Sequence, residues 1–202
     1  MQRFGWNLHL VNRETQTDKS GNDPGLELVN ACRNGDRKAQ KKLYDALAPK
    51  MFAVCLRYMG NRNAAEDILQ DGFVTLFTKL DSYSGEGSFE GWARKIFVNT
   101  ALMELRKNDA LKMSDDLENA RDLSSGTTTQ LENLGYRELL GLISGLPAGF
   151  RTVFNMYVIE GYSHKEIAYT LGITEGTSRS QLQWARTLLQ DKIKKRQDAR
   201  HE

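Results

Sequence analysis

Cysteine, proline, histidine and net charge are all scarce in this chain, and each scarcity removes a class of explanation. Of 202 residues only two are cysteine, Cys32 and Cys55. Neither has a CxxC partner and both fall in apolar helical patterns, so they read as core thiols in a reducing compartment and not as a disulfide framework or a zinc site. The chain has three histidines, and His164 reads as a surface residue, since no cysteine or carboxylate cluster at metal spacing accompanies it. No metal is expected. There is no GxxxxGK[ST] loop to cradle phosphates. The adjacent carboxylates Asp115 and Asp116 sit in a polar stretch that could not hold catalytic geometry, so no catalytic residue, no cofactor and no enzyme activity are expected. Long apolar runs are also missing. Nothing approaches the roughly 18 to 20 residues of a membrane span, and the N-terminus lacks a basic segment followed by an apolar run and a small-residue cleavage site. The expectation is a soluble cytoplasmic protein with no direct membrane insertion. With a formal net charge of only +2, any contact with nucleic acid must come from local placement of charge.

What the chain does contain is helical periodicity. Residues 1–24 form a polar leader, with room for a strand from Phe4 to Val11. From Leu26, apolar positions including Val29, Cys32, Leu43, Leu47, Met51, Val54, Cys55 and Tyr58 fit a short helix and then a longer one, interrupted near Gly35 and Pro49. Asn61 and Asn63 precede Ala64, Glu66 and Asp67 as a cap with acidic residues in the first turn, and Ile68, Phe73, Leu76, Phe77 and Leu80 continue an apolar face. A fourth helical region begins near Phe89, with Asn99 and Thr100 as a break. These make a helical domain over 25–108. An acidic, polar linker follows over 109–130, then a second helical domain over 131–195 and a charged tail over 196–202. The fold class expected is all-α: two small helical domains joined by a flexible linker.

Two segments carry candidate chemistry. Between Gly161 and Arg186 two short helical patterns flank Gly172, Ile173 and Thr174, the pattern of a helix-turn-helix. Ile167, Ala168, Leu171, Leu182, Ala185 and Leu189 fall on its buried side, which leaves Arg179, Ser180, Gln183 and Arg186 toward a groove, with Thr177 suited to backbone contacts. Tyr162 and Trp184 read as packing residues. In the first domain Phe89, Trp92, Arg94, Lys95, Asn99, Arg106 and Lys107 interleave aromatic and basic side chains, as a surface stacking on unpaired bases would; Trp92 and Phe97 would serve a core equally well. Glu66, Asp67, Gln70 and Asp71 share a polar side of the Ala64 helix, by default a solvated face and otherwise a site for a basic protein partner.

Taken together, three blocks resemble the bacterial sigma factors of the extracytoplasmic-function (ECF) group in the sigma-70 family. They run from Ala64 to Phe73, from Phe89 to Lys107, and from Leu146 to Phe154 followed by Tyr162 to Arg186. The resemblance implies a dissociable subunit that binds core RNA polymerase, recognises two promoter elements and supports opening of the DNA, so its partners would be core polymerase and promoter DNA, both duplex and melted. It implies that Glu66, Asp67, Gln70 and Asp71 lie on the polymerase-binding helix. Phe89, Trp92, Arg94, Lys95, Asn99, Arg106 and Lys107 would meet the minus-ten element, with Asn99 in a specificity turn. Thr177, Arg179, Ser180, Gln183 and Arg186 would meet the minus-thirty-five element. Many relatives are held by an anti-sigma protein, and such a partner is a further expectation. The sequence departs from the family at Arg94, where an aromatic is frequent, at Gly72, where a bulkier residue is common, and at Ser178, where Val or Ile is usual and looser packing would follow. Gln181 and Trp184 replace residues that are often basic, which implies fewer phosphate contacts. The competing expectation is a stand-alone helix-turn-helix regulator, which would bind duplex without polymerase, as a dimer.

Overall fold

A computed structural model describes residues 24–107 and 134–198. The strand option near the N-terminus, most of the leader, the linker and the last residues of the tail lie outside the described residues. Within them all regular structure is helical. The first half holds α1 (Pro24–Arg33), α2 (Arg37–Met59), α3 (Arg62–Thr78), a short 3-10 turn at Leu80–Ser82, and α4 (Phe89–Lys107). The second half holds α5 (Leu134–Ser144), α6 (Ala148–Phe154) running into a π turn at Asn155–Ile159, then α7 (His164–Leu171) and α8 (Glu175–Asp198).

Helix starts follow local chemistry. The Asp36 carboxylate accepts from Lys38 N at 2.8 Å and Ala39 N at 3.2 Å, capping α2, and the Asn61 side chain accepts from Ala64 N at 2.9 Å, capping α3. Such caps contribute about 1 kcal/mol each. Because α3 begins at Arg62, Glu66 and Asp67 stand one turn deeper than the expected acidic first turn. Two expected interruptions are absent. Helix α2 passes through Pro49, which is exposed, so the carbonyl its ring leaves without a donor faces water while buried Leu47 and Met51 hold the helix on the other side. Helix α4 likewise continues through Asn99 and Thr100. The Thr100 hydroxyl donates to Ile96 O at 2.9 Å, and Phe97, Val98, Ala101 and Leu102 are buried around it, so packing overrides the weak helix preference of the pair.

Helices α2, α3 and α4 surround Met51, Cys55, Leu76 and Phe97, all fully buried. Burial pushes the Cys55 thiol up to about 12, so it stays protonated and inert, as a core thiol should. Gly72 is where α3 and α4 touch most closely: a Cβ there would stand 2.3 Å from the Phe97 ring. Here the small residue is required by this chain's own packing.

The two halves pack on one another. Helix α2 ends at Gly60 in the left-handed conformation, φ 78°, and the last carbonyls of a helix have no partner within it. Here the second half supplies partners. The Arg151 guanidinium donates from Nε to Tyr58 O at 2.9 Å and from Nη2 to Met59 O at 3.1 Å, while Nη1 reaches Leu146 O at 2.7 Å and Ser144 O at 3.1 Å within its own half. Asn155 Nδ2 donates to Arg57 O at 2.8 Å. Beside them Arg57 and Glu160 pair at 3.1 Å, with side chains only 8 % and 9 % exposed. Val153, Met156, Ile167 and Leu182 join the first half's apolar core in one cluster. Burial lowers the Arg151 guanidinium to about 10, so it remains charged at neutral pH, a cation against the negative end of a helix dipole.

The close approach at Gly72 gives a direct test. Gly72→Ala forces the Phe97 ring to move and should destabilise the chain by about 1 to 3 kcal/mol, read as a lowered thermal midpoint; an unchanged midpoint would mean α3 and α4 can separate freely.

Candidate nucleic-acid interface

The start of α4 is an aromatic corner. Phe89 and Trp92 lie with ring centroids 5.5 Å apart, and Tyr83 packs edge-on to Phe89 at 5.1 Å and against Trp92 at 5.4 Å. Phe89 and Trp92 are half-buried, so each serves the core and still presents an edge. The Tyr83 hydroxyl donates to Gly87 O at 2.7 Å, closing the loop between the 3-10 turn and α4, where Gly85 and Gly87 take φ of 84° and 72°. The irregular backbone next to the basic face therefore lies in this glycine loop. Asn99 is on a continuous helix, which corrects the expectation of a turn there.

Along α4, Lys95, Asn99, Met103 and Arg106 are exposed at helical spacing on one face, with Lys107 beside them. Met103, 68 % exposed, was not singled out from the sequence. Arg94 is half-buried: its Nη2 lies 3.7 Å from Glu90, while its Nε is buried with no hydrogen-bond partner among the described residues. Glu90 also meets Lys50 of α2 at 2.5 Å, which fixes the start of α4 on the bundle.

On α3, Asp67, Gln70 and Asp71 are exposed on one stripe, and the next residue along it, Val74, is 67 % exposed. Sequence reading missed Val74 because a single valine in an apolar helix looks like core. Glu66 is half-buried and its carboxylate accepts from Arg62 at 2.8 Å, so it is already engaged within its own helix.

The second half builds a helix-turn-helix from local signals. Ser163 and Glu166 form a reciprocal capping box at the start of α7, and those hydrogen bonds, from the Ser163 hydroxyl first, hold the Glu166 carboxyl below its ordinary value. Gly172 ends α7 at φ 68°. Thr174 Oγ1 accepts from Thr177 N at 3.0 Å to start α8 and bonds the Thr177 hydroxyl at 2.9 Å. Arg179, Ser180, Gln183 and Arg186 are all exposed on one face of α8, and Thr177 is half-buried. Arg179 is tethered to Glu175 at 2.8 Å, an exposed pair that can exchange for a phosphate or a base edge.

Three expectations change here. Ser178 is fully buried and its hydroxyl is 2.9 Å from His164 Nδ1, so a polar bond joins α7 to α8 and the start of the helix is not loose. His164 is consequently half-buried, stacked on Tyr157 with centroids 4.4 Å apart, and not a plain surface residue. Trp184 is 48 % exposed and not a core residue, whereas Tyr162 does pack against the core. Among the described residues no group of His, Cys, Asp and Glu could hold a metal ion, and no helix is long and apolar enough to cross a membrane.

Two family matches fall on these two surfaces. Residues 43–111 match Sigma-70 region 2 and residues 136–189 match Sigma-70 region 4. The chain is 31% identical over 200 residues to the ECF RNA polymerase sigma factor SigE of Mycolicibacterium smegmatis, covering 93% of this chain and 77% of that protein. The chain belongs to the ECF sigma factors of the sigma-70 family. It is also 29% identical over 177 residues to the ECF RNA polymerase sigma-E factor of Haemophilus influenzae, 82% of this chain and 93% of that one. A solved complex of the sigma factor RpoE with the anti-sigma factor NepR from Bartonella quintana overlaps this sigma factor at 22% identity and TM-score 0.48, over 76% of this chain and 96% of that one. As an ECF sigma factor the chain is a dissociable specificity subunit for transcription initiation, and the stand-alone regulator is not favoured.

The placement of His164 gives this interface a pH dependence. Partial burial, and next the charge of Arg179, lower the His164 imidazole from its ordinary value of 6.5, so the folded state prefers it neutral. The stability this preference contributes is complete above the unfolded value and is lost as pH falls from there toward the lowered folded value. The thermal midpoint should therefore drop further on acidification from about pH 7.5 to about 5.5 in the natural chain than in His164→Gln; equal drops would dismiss the role.

Proposed function

We propose that this sigma factor divides its work between the two surfaces as follows. The α3 stripe of Asp67, Gln70, Asp71 and Val74 docks on core RNA polymerase, an acidic patch around one apolar contact, with Glu66 tuning it through Arg62. The corner of Phe89 and Trp92 receives unstacked bases of the minus-ten element, Arg94, Lys95, Arg106 and Lys107 hold the backbone, and Asn99 meets a base edge. The glycine loop before α4 is the turn through which a flipped base would pass. Thr177, Arg179, Ser180, Gln183 and Arg186 read the minus-thirty-five duplex from the major groove. The domain limits fit this division, with region 2 work over 25–108 and region 4 work over 131–195.

The observation that carries the reading is the pairing, in one chain, of a half-buried aromatic corner beside a basic helix face with a separate helix-turn-helix whose polar face is exposed. A duplex reader needs only the second. Melting then draws its free energy from captured single-stranded bases. No catalytic function is assigned to the chain, its place is the cytoplasm, where polymerase works, and an anti-sigma protein remains a proposed partner.

Co-elution with bacterial core RNA polymerase tests the reading directly. The natural chain should form a stoichiometric complex, and Val74→Asp should weaken it about tenfold or more by placing a further carboxylate on the apolar contact. Full binding by the variant would remove α3 from the docking face. Arg179→Ala should reduce upstream-element use by about tenfold in a reporter titration while sparing polymerase binding; unchanged promoter selectivity would refute its assignment.

A further inference from the structure

Trp184 is the one large aromatic side chain of α8, and the division of work above leaves it without a task. It is 48 % exposed and belongs to neither apolar cluster, so packing does not account for it. A lone exposed ring is ordinary on a protein surface; its position is not. The exposed side of α8 has two parallel edges. One carries Arg179, Gln183 and Arg186 at i, i+4 and i+7, side chains that donate to phosphates and base edges. The other carries Thr177, Ser180, Trp184 and Thr187 at i, i+3, i+7 and i+10. The hydroxyls of this second edge are turned to the helix itself. Ser180 Oγ donates to Thr177 O at 2.9 Å, Thr187 Oγ1 donates to Gln183 O at 3.2 Å, and the Thr177 hydroxyl bonds that of Thr174. Their protons are thereby committed, and the largest outward feature of the edge is the indole. In a major groove the apolar group that such a surface matches is the C5 methyl of thymine, since the acceptors there call for donors.

We propose that Trp184 sets base preference within the minus-thirty-five element by packing its indole on the C5 methyl of a thymine. The inference rests on the reading of α8 as the upstream-element helix, and the edge that carries Trp184 is continuous with the polar edge assigned there to the duplex. A cation at this position would be drawn to phosphates, which are alike in every sequence, and would raise affinity for all of them. A neutral ring raises it only where a methyl stands. The tryptophan therefore gives this chain a choice of base at a point where a basic residue would give general attraction.

Deoxyuridine, which is thymidine without that methyl, supplies the test. The complex of the full-length natural chain with bacterial core RNA polymerase selects upstream elements from promoter duplexes randomised there, and each thymine of the selected element is then replaced singly by deoxyuridine. Affinity is read by fluorescence anisotropy of the labelled duplex for complexes of the natural chain, Trp184→Ala and Trp184→Phe. One replacement should weaken the natural complex about threefold. Trp184→Ala should bind the thymine duplex about tenfold more weakly and be indifferent to that replacement, while Trp184→Phe should keep the sensitivity. A selected element without thymine, or a response to deoxyuridine that survives undiminished in Trp184→Ala, would overturn the inference. So would weakened binding of Trp184→Ala to core polymerase in the absence of DNA, which would assign the ring to a protein contact. If the natural complex selects no upstream sequence at all, the reading of α8 fails as well; if it selects one that Trp184→Ala binds equally, only the place given to Trp184 fails.

Discussion

The last turn of a helix always leaves carbonyls that it cannot satisfy itself, and at the end of α2 those carbonyls organise the molecule. Gly60 turns the chain sharply there, and the cation that fills the space belongs to a residue over ninety positions away, Arg151. The guanidinium suits the place because its planar fork reaches carbonyls of both halves at once while its charge opposes the helix dipole. From that contact follow the burial of Arg57 with Glu160, the shared apolar cluster, and the position of α7 beside α4.

The two functional surfaces are made in different ways. The helix-turn-helix is a local construction: capping box, left-handed glycine, threonine cap and the His164 to Ser178 bond are all within one short stretch of chain, so the exposed face of α8 is fixed by its neighbours in sequence. The α4 surface is a tertiary construction. Phe89 and Trp92 present their edges because Tyr83 and the glycine loop support them, and the basic face runs along one continuous helix because α4 packs on α2 and α3, with its Phe97 ring against Gly72. Polar groups already engaged in small pairs, Arg179 with Glu175 and Arg94 near Glu90, keep these faces soluble and exchangeable, since exposed ion pairs of this kind cost little to break.

Two of the expected departures from the family pattern, Gly72 and Ser178, have matching neighbours in the structure. Gly72 makes room for Phe97, and buried Ser178 is matched by His164 across the helix pair. Each substitution is explained only by the residue it touches. Arg94 has no such matched neighbour: its Nη2 lies 3.7 Å from Glu90, while its buried Nε lacks a hydrogen-bond partner among the described residues.

The sequence by itself determined the helices, the cap at Asn61, the turn at Gly172 and the exposed polar face of α8, because periodicity and capping are local properties read within a turn or two. It also determined the family, because three blocks in order and spacing are specific where each alone is not. It misjudged Pro49 and the Asn99 and Thr100 pair, whose local tendency to break a helix was overridden by buried neighbours on the opposite face. It could not reveal that Val74 and Met103 face outward, that Ser178 is buried, or that Arg151 and Asn155 cap a helix in the other half. Those facts depend on which surfaces meet, and that choice is made by close packing and by the need of buried polar groups for partners, neither of which has a period along the chain.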